Sequence, residues 1–271
     1  MSEYEVYAIK YGAMDRQRSD NFIARDVHDG PMPLDFFVWV VRGEHGTFVI
    51  DTGFDEGTAT RRNRAIWRPV AEGLAMIDVA PERVSDVVLT HLHYDHAGNH
   101  ELFPAAKYHL QEKEMIYATG PCMCHQTLRH PFELEDVQHM VKRVFEGRVC
   151  FHDGSRDLAP GLSVHWIGGH SRGLQAVRVR TRRGWVVLAS DAAHYYENFE
   201  ADRPFSIVWK QGDMLTAFDT LKTLADDPGF IIPGHDPDVF NRYPTPAPDL
   251  KGKVARLDLA PVLDDGATQR H

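Results

Sequence analysis

Residues 91 to 96 read His91-Leu92-His93-Tyr94-Asp95-His96, three imidazoles and a carboxylate within six positions. They follow an apolar run (Val87, Val88, Leu89) short enough for a buried strand, and Gly98 soon afterwards suits a loop. A strand that ends and turns here directs these side chains into one open mouth. Imidazole nitrogen and carboxylate oxygen are the donors of catalytic metal sites, which leave a position open for water. Four donors this close cannot all reach one tetrahedral ion while further histidines stand downstream, so the stretch predicts two ions sharing the cluster. Further donors come where three other apolar runs stop, at Gly168-Gly169-His170, Ser190-Asp191 and Gly234-His235-Asp236.

In this order and approximate spacing the chain resembles the metallo-β-lactamase superfamily from Asp51 to Asp236. The superfamily signature is a His-x-His-x-Asp-His stretch followed by a His, an Asp and a His. The resemblance implies an α+β fold, an αββα sandwich of two mostly antiparallel sheets packed face to face with helices outside. It further implies that His91, His93 and His170 bind one ion, that Asp95, His96 and His235 bind the other, and that Asp191 bridges. Asp51 would support the centre from behind, as carboxylates that orient metal ligands do.

Within the superfamily, Asp191-Ala192-Ala193-His194-Tyr195-Tyr196-Glu197-Asn198-Phe199-Glu200 is most similar to N-acyl homoserine lactonases. Those enzymes carry an Asp-Ala-small-Tyr stretch and often Glu-Asn-Phe-Glu soon after. The implied function is a dinuclear-zinc hydrolase that opens a lactone by attack of a metal-bridging hydroxide, with iron, manganese or cobalt as alternatives to zinc. Two positions depart from the pattern. The family's catalytic Tyr aligns with His194, with Tyr195 next, and its second Gly-His pair becomes Gly173-Leu174. A protonated imidazole at His194 could donate to the carbonyl oxygen or the leaving alkoxide. Asp95, His194 and Tyr195 are therefore the candidate catalytic residues, Asp95 also as a ligand. Rival functions are thioester or β-lactam hydrolysis on the same scaffold, a mononuclear iron dioxygenase, and metal binding without catalysis.

The 271 residues have 43% hydrophobic and 25% charged content, an ordinary globular balance. A formal charge of −9 argues against a nucleic-acid partner, which wants a basic face. No stretch reaches the roughly 18 apolar residues of a membrane span, and the start, Met1-Ser2-Glu3-Tyr4-Glu5, lacks a signal peptide's basic and apolar parts. A cytoplasmic protein acting on a small-molecule ester or lactone is expected, with a homodimer as one assembly. The odd set Cys122, Cys124 and Cys150 does not suit a disulfide framework. Cys122-Met123-Cys124-His125, with His130 nearby, has too tight a spacing for a structural zinc site and lacks a second Cys pair. With Met115, Ile116 and Tyr117 it reads as an apolar insert covering the pocket.

The elements that must position these donors follow from periodicity. Strands are expected over 4–11, 34–41, 47–50, 86–90, 106–110, 149–151, 162–167, 176–179, 185–188 and 230–232, with a hairpin at Gly43-Glu44-His45-Gly46. Helical spacing links Val70, Leu74 and Ile77, then Val137, Met140, Val141, Val144 and Phe145, then Leu215, Phe218, Leu221 and Leu224. Residues 15–33 read as a long loop, and all five tryptophans read mostly as core. Residues 1–250 are expected to form a single hydrolase domain and residues 251–271 a C-terminal tail.

Overall fold

Runs of β-branched and aromatic residues set the strands, and the longest of them is central. The computed structural model describes residues 2–24 and 28–262. Its strands, in chain order, are β1 (Glu5–Met14), β2 (Leu34–Gly43), β3 (Gly46–Ile50), β4 (Ala65–Ile66), β5 (Asp86–Val88), β6 (Lys107–Gln111), β7 (Val149–His152), β8 (Arg156–Ala159), β9 (Leu162–Trp166), β10 (Gln175–Thr181), β11 (Gly184–Ser190), β12 (Ile231–Pro233) and β13 (Val254–Arg256). One sheet runs β13-β1-β2-β3-β5-β6-β7 with β4 on β1, and the other β12-β11-β10-β9-β8. In β2 every residue from Leu34 to Val41 is buried, as a strand covered on both faces requires. Buried residues of both sheets join one core, which gives the αββα sandwich that the sequence implied.

Strand direction explains why the donors meet. β3, β5, β6 and β7 pair in parallel, as do β11 and β12, while the other pairs are antiparallel. Parallel neighbours end on the same side of a sheet. The residues that follow β3, β5, β11 and β12 include Asp51, His91, Asp191 and His235, so both sheets deliver donors to one edge. Binding groups at the carboxyl ends of parallel strands are a general habit of such sheets.

Several expectations need correction. The tail expected from residue 251 is not one over its first part. Val254–Arg256 pairs with Tyr7–Ile9, and the buried Asp258 carboxylate accepts from the Val6 amide at 3.2 Å. The remainder, 263–271, lies outside the described residues. The long loop contains a helical turn, Arg18–Asn21, and bridges to Phe205 through Phe22. Of the tryptophans, Trp39 is core, but Trp67 is 60% exposed beneath the Lys10 ammonium at 4.5 Å. Phe145 ends the helix Leu134–Phe145 in solvent, and the late helix Gln211–Leu224 buries Met214 in place of Leu215. No helix among the described residues is long and apolar enough to cross a membrane.

One buried carboxyl should make stability depend on pH. Asp136 lies in the first turn of the helix Leu134–Phe145, and burial, then the charges of Glu133, Asp55 and Glu135, push its pKa up to about 7. A folded pKa above the unfolded one contributes stability that is full below about pH 4 and lost as pH rises through 7. Asp136→Asn should therefore gain on the order of 1–3 kcal/mol at pH 8 and close to nothing at pH 4. Urea denaturation at the two pH values checks the difference.

Candidate functional site

Strand β5 ends at Val88, and the chain then runs irregularly through His91 and His93 before a short helix, Tyr94–Ala97, carries Asp95 and His96. His170 arrives between β9 and β10 on a tight turn. Gly168 and Gly169 both have positive φ, at 71° and 85°. A Cβ on Gly169 would stand 2.7 Å from the Met214 backbone, so a side chain there would displace the turn. Asp191 follows β11 through Ser190, and His235 follows β12 through Gly234.

The side chains converge. Among the described residues, ligand atoms within 4.8 Å of one another form three groups: His91, His93, His170 and Asp191; Asp95, His96 and His235; Asp191, His194 and His235. Asp191 divides its carboxylate between the first two. Its Oδ2 lies 3.1 Å from Nε2 of His170 and 3.8 Å from Nε2 of His91, whereas Oδ1 lies 3.0 Å from Nε2 of His235 and 3.2 Å from Nε2 of His96. The Asp95 oxygens lie 3.7 and 3.8 Å from Nε2 of His96 and His235.

Three of the imidazoles are aimed by their other nitrogen. His170 Nδ1 donates to the Ile207 carbonyl at 2.8 Å and His235 Nδ1 to the Asp35 carbonyl at 2.9 Å. His96 Nδ1 donates to Asp51 Oδ2 at 2.7 Å. Asp51 is itself fixed by the Thr90 amide at 2.7 Å and the Thr90 hydroxyl at 2.8 Å, and it adopts a left-handed φ of 62° to reach them. Such strain persists where its surroundings over-determine it.

The donor set fits a pair of divalent ions. Nε2 of His91 is buried without a hydrogen-bond partner, an expense that a cation would remove. Nδ1 of His93 faces Nε2 of His170 at 2.9 Å. Burial first, then neighbouring imidazoles, hold His91 and His93 well below the usual histidine range, leaving the neutral rings that metals bind. Burial alone would raise the Asp191 carboxyl. The facing imidazoles of His194, His96, His235 and His170 outweigh it and hold that carboxyl ionised. Asp51→Ala should leave His96 free to turn and weaken metal binding about 10- to 100-fold. Chelator competition against the parent protein measures this.

The fold gives the two remaining candidates different places. The His194 ring stacks on Phe205 at 3.5 Å and 9°, with Nε2 3.0 Å from Asp191 Oδ2. Burial pushes its pKa down to about 3, so the charged donor expected from sequence is replaced by a neutral imidazole. Tyr195 turns elsewhere. Its buried hydroxyl accepts from Asn21 Nδ2 at 2.9 Å and faces the Met32 and Pro33 carbonyls at 3.4 and 3.3 Å. The direct substrate contact expected of Tyr195 is therefore not set up, because that side chain anchors the loop 15–33.

Sequence reasoning missed Glu114. It sits in the helix Glu112–Thr119, fully buried, and its carboxylate accepts from Leu92 N at 3.0 Å, Ser171 Oγ at 2.8 Å and Gly173 N at 2.8 Å. It thus straps the His91–His93 segment to the loop that carries His170. A Cβ on Gly173 would fall 2.1 Å from the Glu114 amide, so the contact needs glycine where the family has its second Gly-His pair.

A cavity of about 100 Å³ reaches Asp95, Asp191, His194 and His235, and it shares His93, His130, Pro131, His170 and Ile207 with one of about 360 Å³. Tyr117, Leu128, Ile207 and Trp209 make much of the larger wall apolar. The segment 112–133 thus borders the site, but through Tyr117, Gln126, Thr127, Leu128, His130 and Pro131, not Met115 or Met123. Among the described residues Cys122, Cys124, His125 and His130 join no metal-binding group.

Comparison with known proteins agrees with this architecture. An N-acyl homoserine lactonase from Bacillus cereus is 24% identical over 189 residues, 64% of this chain and 70% of its own. The N-acyl homoserine lactonase AiiB of Rhizobium rhizogenes is 32% identical over 137 residues, 47% of each chain. Among solved structures, a quorum-quenching N-acyl homoserine lactone lactonase superposes with a TM-score of 0.72 at 22% identity, covering 87% of this chain and 93% of its own. AidC, a dizinc quorum-quenching lactonase, superposes with a TM-score of 0.66 at 16% identity, over 87% and 88%. At such identities the superpositions speak for the fold alone. The sequence model of the metallo-beta-lactamase superfamily matches residues 37–235, a span that takes in every donor described above, and the chain belongs to that superfamily.

Proposed function

We propose that this chain, a metal-dependent hydrolase, opens lactones with the help of two divalent ions. His91, His93 and His170 would hold one ion, and Asp95, His96 and His235 the other. The observation that carries the proposal is the division of Asp191, one oxygen toward each set. A pair of ions held there supplies Lewis acidity and makes water acidic enough to ionise near neutral pH. The lactonase relatives point to a cyclic ester as the substrate. Zinc is the metal proposed, with iron, manganese and cobalt as the other outcomes of elemental analysis.

The chain's own groups supply the rest. The smaller cavity brings a compact ring against Asp95, Asp191 and His235, and the larger one accepts an apolar substituent against Tyr117 and Trp209. Ring opening discharges an alkoxide, which a hydrogen bond can stabilise until water protonates it. His194 is held by Phe205 with Nε2 directed at Asp191, and a neutral imidazole can present one N–H there. His194→Ala should lower kcat about 100-fold with both ions still bound, and His194→Tyr should restore most of it. An unchanged kcat in His194→Ala would make the residue a packing partner of Phe205.

The functional test is a rate comparison across lactones, linear esters, thioesters and β-lactams of matched size. Lactones should lead in kcat/KM. Preference for thioesters or β-lactams would move the chain to another hydrolase of the superfamily. Turnover of none of them would leave metal binding without this chemistry.

A further inference from the structure

The small cavity beside the donors carries cations that the chemistry above does not use. Arg16, Arg62 and Arg64 line it together with Asp95, Asp191 and His194. Arg62 is paired with Glu133 at 2.6 Å, but the other two have only neutral partners among the described residues. Arg16 gives Nε to Asn21 Oδ1 at 2.5 Å and Nη2 to the Asp20 carbonyl at 2.6 Å. Arg64 gives Nε to the Tyr94 hydroxyl at 3.2 Å and Nη1 to the carbonyls of Arg62 and Asn63 at 2.8 and 3.3 Å. Asp20, whose charge also acts on Arg16, turns its carboxylate to the Gln17 amide at 3.4 Å.

Two half-buried guanidiniums without a carboxylate are unusual in a chain of net charge −9. They line the same cavity, and the charge of Arg64 acts on Arg16. Burial pushes the Arg16 pKa down; the charges of Tyr195 and Asp20 oppose that, and the like charge of Arg64 adds to it. Like charges held together in a partly desolvated cavity are costly until an anion joins them. Their orientation is built in. Arg16 packs over Phe205 at 5.1 Å, the ring that stacks on His194, and Arg64 is tied to the Tyr94 hydroxyl next to Asp95. Among the described residues Nη1 of Arg16 and Nη2 of Arg64 have no hydrogen-bond partner, and guanidinium N–H groups suit a carboxylate.

We propose that Arg16 and Arg64 form an anion subsite beside the metal-binding residues, and that the preferred substrate is a compact lactone bearing a carboxylate. About 100 Å³ admits a small ring with such a group. This rests on lactone opening as the reaction, and it separates the chain from enzymes whose lactones are uncharged.

The test uses the metal-loaded protein and two matched pairs. γ-Butyrolactone-γ-carboxylate and its carboxamide report turnover, and cyclopentanecarboxylate and its carboxamide, which cannot be opened, report binding by calorimetry. The carboxylate of each pair should be favoured about 10-fold or more, and Arg16→Gln and Arg64→Gln should each bring both ratios close to one. A carboxylate preference that survives both substitutions belongs to the ions and overturns the subsite, as does no preference at all. Arginine-dependent binding of cyclopentanecarboxylate without turnover of either lactone would sustain the subsite and remove lactone opening instead. Should Arg16→Gln fail to fold, Arg64→Gln on its half-exposed turn and the parent protein's own ratios still decide.

Discussion

Asp191→Ala is expected to lower lactone hydrolysis roughly 1,000-fold or more, because the two ions lose the one group placed to share them. Its Oδ1 and Oδ2 face different histidine sets at 3.0 and 3.1 Å, so no neighbour can replace it by a small rotation. Metal content should fall from two ions toward one, since the Asp191 carboxylate faces both histidine sets. Asp191→Asn keeps the shape but loses the charge, and it should fall between the parent and the Ala variant. Two tightly held ions and activity within 10-fold of the parent in Asp191→Ala would contradict a bridging role.

Glu114→Ala is expected to cost stability on a scale unusual for one substitution. Three buried donors lose their acceptor at once: the Leu92 amide, the Ser171 hydroxyl and the Gly173 amide. Each stranded donor costs about 1–3 kcal/mol, with some relief as the site relaxes, so a loss of about 3–5 kcal/mol is expected. For a chain of this size that lowers the melting temperature by roughly 10 °C. Glu114→Gln should lose less, because its carboxamide oxygen still accepts on one side. A fall of under about 1 kcal/mol for Glu114→Ala would mean that water enters and satisfies the three donors.

The contrast between these two residues shows what could be read from the chain. Asp191 is legible because it ends an apolar run, and the strand that run forms delivers it to the edge where β3, β5 and β12 also end. Glu114 is not. Its local setting, Glu112-Lys113-Glu114-Met115, has the look of a solvated helix surface, and its partners stand 22, 57 and 59 positions away. Arg16 and Arg64 fail the same way, since only folding brings the loop 15–33 and the turn after residue 62 to one cavity. Val254–Arg256 looks like a tail because three residues with a charged end carry no strand signal of their own. Its place is set by the free edge of β1. His194 and Tyr195 are adjacent in sequence, and either could have faced the centre. The helix beginning at Tyr196, together with the hydrogen bond from Asn21, turns Tyr195 toward the loop and leaves His194 beside Asp191.

Two ions on the Asp191-centred site should support opening of a lactone ring. The measurement that meets it most directly is a titration of metal-free protein with zinc, following lactone opening by proton release at each added equivalent. Activity should remain low through the first equivalent, rise with the second and stop rising at two ions per chain. Full activity at one equivalent, or no lactone opening at two, would contradict it.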